Sequence, residues 1–287
     1  WSSAPFAVLL VTPEREFLLR HPRPSADFKP LGYDSLLKAD VFARARQYSP
    51  QLLATFPAVG GIPTIVIGQA EQTGKSSTEW VLTLLHEHFH QLQMSEPGYF
   101  SAVDSLQLSH GDQSGMWMLN YAFPYDSMPI QQRFRVLANT LATALAVRGT
   151  ASFAARYAAH VKALASLREA LAPGDYRYFE FQLWQEGVAR YTEERVAQLA
   201  ARRQVPGPSF RALPDFTPYE VVAGRLEARM LAEVHAAELA RTRRVAFYPL
   251  GAATALLLDA ARPGWQQRYF QEPFSLDPLL VKPALPE

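Results

Sequence analysis

The chain has 287 residues, of which 48% are hydrophobic, 19% charged and 12% aromatic, with a formal net charge of +1. That length supports a sizeable core, and the near-neutral balance argues against a nucleic-acid or anionic-membrane partner. Cysteine is absent, which excludes disulfide frameworks, thiolate metal sites and cysteine nucleophiles and leaves histidine and carboxylates as the strong metal ligands.

Residues 1–75 read as a strand-rich N-terminal part and residues 76–287 as a helical part of one domain. Residues 7–11 and 16–19 are short apolar strands, and Pro22, Pro24 and Pro30 mark irregular connections. Residues 33–47 are predicted as a helix. A Gly60-Gly61 turn then leads into the β-branched run 62–67, the clearest strand in the chain. Ser76-Ser-Thr-Glu79 matches a capping box and opens a helix expected to run through His90 to about residue 93, ending before Pro97-Gly98. Residues 101–128, rich in Gly, Ser, Asp, Tyr and Trp, read as a long functional loop or lid. Further helices are expected over 130–148, 152–172, 178–203, 218–241 and 249–261, where Ala, Leu, Arg and Glu dominate. No apolar run approaches the roughly 20 residues needed to span a bilayer. The chain begins at Trp1 rather than Met, so a removed leader and a periplasmic or secreted location are the expectation.

The chemistry concentrates in His86-Glu87-His88-Phe89-His90. Two histidines four residues apart on a helix are rotated by about 40° and separated by about 6 Å along the axis, so their rings can converge on one ion. A glutamate directly after the first histidine faces the same side and can take a proton from an activated water. The run lies among Trp80, Val81, Leu82, Leu84, Leu85, Phe89 and Leu92, the apolar helix such a motif requires. His88 falls on another face and reads as a supporting or surface histidine.

Together, His86-Glu87-x-x-His90 and the downstream Glu186-Gly187-x-Ala189-x-Tyr191-x-Glu193 resemble the gluzincin metallopeptidases, especially their aminopeptidase-like branch. The resemblance covers two helices and the preceding strand, about a fifth of the chain. It implies a zincin-like α+β fold, predominantly helical, with a cleft crossed by the His86 helix. It also implies a Zn²⁺ ion on His86, His90 and Glu186, with Glu87 as base and a peptide or protein as substrate. Tyr248, and after it His235, are candidates for stabilising the oxyanion. Glu193 is a candidate for orienting a ligand histidine, and strand 62–67 for pairing with an extended substrate. Gly187 and Ala189 keep one helix face small enough for close approach. The chain departs from the aminopeptidases in spacing: 96 positions separate His90 from Glu186, so the intervening helices form an insertion or lid.

Two other readings compete. A non-catalytic zincin-like module could bind a protein or cell-wall partner through Trp117 and the aromatic stretch Asn120–Tyr125, although such a module has no need of Glu87. The run Gly68-Gln-Ala-Glu-Gln-Thr-Gly74-Lys75-Ser76 follows a strand and precedes a helix, as a phosphate-binding P-loop does. It holds five residues between its glycines where the motif requires four.

Overall fold

The computed structural model describes residues 4–112 and 114–281. The arrangement is mixed α+β, strand-rich at the N-terminus and helical after it, and internal contacts divide it into two compact units. Among the described residues, no helix is long and apolar enough to cross a membrane.

The first unit comprises Trp1–Tyr99 and Thr192–Gly224. Its strands are β1 (Val8–Val11), β2 (Arg15–Leu19), β3 (Lys29–Asp34), β4 (Ala39–Ala45), β5 (Leu53–Val59) and β6 (Ile62–Gly68). They form one sheet in the order β3-β4-β2-β1-β6-β5, with β1 and β6 parallel and the other neighbours antiparallel. Both faces of the central pair are covered, which is why its sequence is almost continuously apolar. Val8, Ile65 and Ile67 pack with Phe6, Trp80 and Leu84 on one face. Leu9, Val11 and Val66 pack with Leu18, Phe28 and Val59 on the other.

The helix expected over 33–47 is absent; those residues end β3, turn, and form β4. The Asp34 carboxylate accepts from the amides of Leu36 (2.9 Å) and Leu37 (2.8 Å), and Lys38 takes a left-handed φ of 51°. This local turn overrides the helix propensity of the Leu-Leu-Lys-Ala run; β4 pairs with β3 across the turn to form the hairpin and with β2 on its other side. Strand 62–67 is present as part of β6, but it is flanked by β1 and β5 and has no free edge. The expectation that it pairs with substrate is therefore corrected: the outermost strand on that side is β5.

Beyond β6, α1 (Ala70–Thr73) is a single helical turn closed by Gly74 in the left-handed conformation. Gly68 lies so close to Pro50 that an added Cβ would fall 1.7 Å from the Pro50 carbonyl oxygen. The segment is a packed turn and not an open phosphate cradle, so the P-loop resemblance ends at the sequence. The capping box opens α2 (Ser77–Ser95) as expected: Ser76 Oγ accepts from the Glu79 amide, and the Glu79 carboxylate accepts from the Ser76 amide at 3.0 Å. Trp80 Nε1 donates to the Gly68 carbonyl at 2.6 Å, and Gln91 Nε2 donates to the carbonyls of Ala7 and Pro63. These contacts tie both ends of α2 to the sheet.

The second unit comprises Phe100–Tyr191 and Arg225–Glu287. The stretch expected as a lid holds α3 (Tyr99–Ser105) and α4 (Trp117–Asn120). Its aromatic residues turn inward: Trp117, Phe123 and Tyr125 are buried, and Phe123 and Tyr125 pack on Phe247 with ring centroids 5.2 and 6.1 Å away. The flat aromatic surface on which the binding-module reading relied is thus largely core. An antiparallel pair follows, α5 (Met128–Ala146) and α6 (Phe153–Ala170).

The single helix expected over 178–203 is three segments: α7 (Pro173–Gln182), a π-helical turn (Leu183–Gly187) and α8 (Val188–Arg203). α9 (Pro208–Arg211) belongs to the first unit, and α10 (Tyr219–His235) begins there; after α11 (Leu239–Thr242) comes α12 (Phe247–Ala261), apolar nearly all round and accordingly buried. Gly251 of α12 meets the π-helical turn backbone to backbone. An added Cβ at Gly187 would lie 2.5 Å from Gly251 Cα, and one at Gly251 would lie 2.7 Å from the Leu183 carbonyl oxygen. The close approach expected at Gly187 is therefore made to α12. A short helix, α13 (Asp277–Val281), ends the described chain.

Candidate metal centre

α2 presents its residues by face. Trp80, Leu84 and Gln91 turn toward the sheet, and His88 joins them: it is buried, packs at a tilt on Phe6 with ring centroids 4.4 Å apart and meets Gln91 Oε1 through Nδ1 at 2.9 Å. Burial holds its imidazole below the usual histidine pKa. His88 is thus a packing residue of the sheet side, not a surface one. His86 and His90, one turn apart, project together from a different face, with ring centroids 5.0 Å apart and planes at 77°.

The nitrogen that does not bind metal decides whether a histidine is ready to do so. His90 Nδ1 lies 2.7 Å from Gln93 Oε1, a side chain that is itself fully buried. An amide oxygen only accepts, so this contact fixes the proton on Nδ1 and leaves the lone pair on Nε2. His86 Nδ1 lies 3.4 Å from Glu193 Oε2, whose other oxygen is 3.5 Å from Thr83 Oγ1.

Glu186 occupies the π-helical turn that leads into α8, seven residues before Glu193. A π turn inserts one residue into the helical ladder, and such turns recur at functional sites. His86, His90 and Glu186 each offer one ligand atom, and these atoms lie within 4.8 Å of one another. Donors around a tetrahedral ion at about 2.0–2.1 Å stand about 3.4 Å apart. Two imidazoles and one carboxylate are a donor set that suits a divalent metal ion. The group could therefore coordinate a metal ion.

Glu87 is buried, and its carboxylate accepts from Thr55 Oγ1 of β5 at 2.8 Å. Sequence reading missed Thr55 altogether. It also missed Gln93, which lies three positions from His90 on the same helix and was open to inference from that spacing. Tyr248 is the second residue of α12, half-buried, and its hydroxyl accepts from Arg244 Nη1. His235 is exposed at the end of α10, where Nδ1 contacts the Leu231 carbonyl at 2.8 Å. Tyr191 donates to Asp259, at 2.9 Å from Oδ1, within the second unit.

Comparison of the chain with protein-family models, with curated proteins and with solved structures finds no match.

Proposed function

We propose that the protein is a zinc-dependent hydrolase of gluzincin type, acting on peptide bonds. The observation that carries this reading is the convergence of His86, His90 and Glu186 beside a buried glutamate, Glu87, that follows the first histidine. Two imidazoles and a carboxylate form the three-ligand set that leaves a fourth position open on zinc. Bound there, zinc supplies Lewis acidity, lowering the pKa of a water to about 7 and polarising a carbonyl. Glu87 receives the proton of the attacking water and returns it to the leaving amine. Gln93, bonded to His90 Nδ1, orients that ring, and the Glu193 carboxylate stands beside His86 Nδ1. Tyr248 is assigned to donate a hydrogen bond from its hydroxyl to the developing oxyanion. The Arg244 guanidinium, which donates to the same hydroxyl oxygen, adds positive charge beside it.

Glu87→Gln tests the assignment. It should keep the metal content of the parent and lose turnover of a peptide library by about 10²–10⁴-fold, the range of a general base. His90→Ala should lose both metal and turnover. Full activity in Glu87→Gln would overturn the mechanism.

A further inference from the structure

A carboxylate acting as a base has two oxygens that exchange places by rotation, and only one can face the water. On Glu87 this symmetry is broken from outside α2. Thr55 Oγ1 lies 2.8 Å from Glu87 Oε2 and 2.9 Å from the main-chain oxygen of the same residue. Among the described residues no other hydrogen bond to the Glu87 carboxylate is made. Thr55 belongs to β5, whose register with β6 is regular from Leu53 to Phe56, with Thr55 opposite Ile65. The pairing sets the face of the sheet from which Thr55 projects.

We propose that Thr55 is the positioning residue for Glu87. Its hydroxyl pins Oε2 against the sheet and leaves Oε1 as the oxygen that receives the proton. The inference rests on the hydrolase reading above and deepens it: the base is aligned by the outermost strand as well as by its own helix. The hydroxyl takes part in no bond making. It removes the rotational freedom that Glu87 would otherwise lose on reaching the transition state.

Thr55→Val keeps shape and removes the hydroxyl, whereas Thr55→Ser keeps the hydroxyl and removes a methyl. In zinc-loaded protein, Thr55→Val should lower kcat about tenfold or more with KM and zinc content unchanged, and Thr55→Ser should restore kcat to within about threefold of the parent. Zinc-free protein gives a readout independent of turnover. The valine variant should unfold at a lower denaturant midpoint, because a buried carboxylate loses its donor, and the serine variant should not. A valine variant with parental kcat or parental midpoint would overturn the role of Thr55. So would equal losses of kcat in both variants, which would place the effect in packing. A parent protein holding one zinc per chain yet inert toward the peptide library would overturn the hydrolase reading, and this role with it.

Discussion

A histidine bound to metal through one ring nitrogen is only as well aimed as the contact on its other nitrogen. Here those contacts are Gln93 for His90 and Glu193 for His86. Gln93 is the shorter and more buried contact, so its loss should matter more. Gln93→Ala should weaken zinc binding about 10–100-fold, the usual range for a group that orients a ligand, while Gln93→Glu should keep most of it by accepting from the same Nδ1. Competition with a chelator of known affinity measures both, and parental affinity in the alanine variant would show that the ring needs no such support. At this scale much was legible in the sequence. His86 and His90 announce themselves because helical spacing alone brings their rings together. Glu186 was legible through a second motif, and Glu193 through its place in it. Thr55 was not, because 32 positions separate it from Glu87 and only the sheet brings them together.

At the scale of elements, packing explains why a glycine stands next to Glu186. The π-helical turn Leu183–Gly187 presses on Gly251 of α12 with no side chain between them. Gly187→Ala would drive a methyl into backbone that cannot yield like a side chain, with an overpacking cost of about 1–3 kcal/mol. Because Glu186 is the adjacent residue, the same change should also weaken metal binding. Gly224→Ala is the control: nothing lies within 4 Å of its added methyl, and alanine there should stabilise α10 by about 0.5–1 kcal/mol. Thermal unfolding of the two variants, each with and without zinc, separates these effects. A Gly187→Ala protein as stable as the parent would contradict the packing described. The interruption at Glu186 could not be read from the sequence, since Leu183–Gly187 has no breaker apart from one glycine and its neighbours are helix formers. The hairpin over 33–47 was hidden for the opposite reason. Its residues favour helix, but Asp34 supplies a turn, and β3 and β2 supply partners for β4.

Over the whole molecule, stability should depend on pH through two buried groups of the second unit. Burial, with the charge of Asp277 beside it, pushes the Glu180 carboxyl up to about 7. Its Oε2 accepts from Ser275 Oγ and from the amides of Leu276 and Asp277. Oε1 has no partner among the described residues. Between pH about 4.5 and 7 the folded chain holds this proton more tightly than the unfolded chain, so stability falls as pH rises through that window. Burial pushes His160 down to about 4. Below pH about 6.5 the unfolded chain binds that proton first, so stability also falls as pH drops toward 4. Glu180→Gln mimics the protonated acid. It should remove the alkaline decline and move the optimum upward, as read by denaturant midpoints from pH 4 to 8. An unchanged profile would mean that Glu180 does not carry the dependence. The division into a strand-rich N-terminal part and a helical remainder was legible because apolar periodicity changes near Ser76. The exchange of residues 192–224 into the first unit was not, since long-range contacts leave no mark on local spacing.

The central claim is that His86, His90 and Glu186 hold zinc. Elemental analysis of the purified protein beside Glu186→Ala and His90→Ala tests it most directly. About one zinc per chain in the parent, and a sharp loss in both variants, is the predicted result. No zinc in the parent after metal is supplied, or an undiminished zinc content in Glu186→Ala, would contradict it.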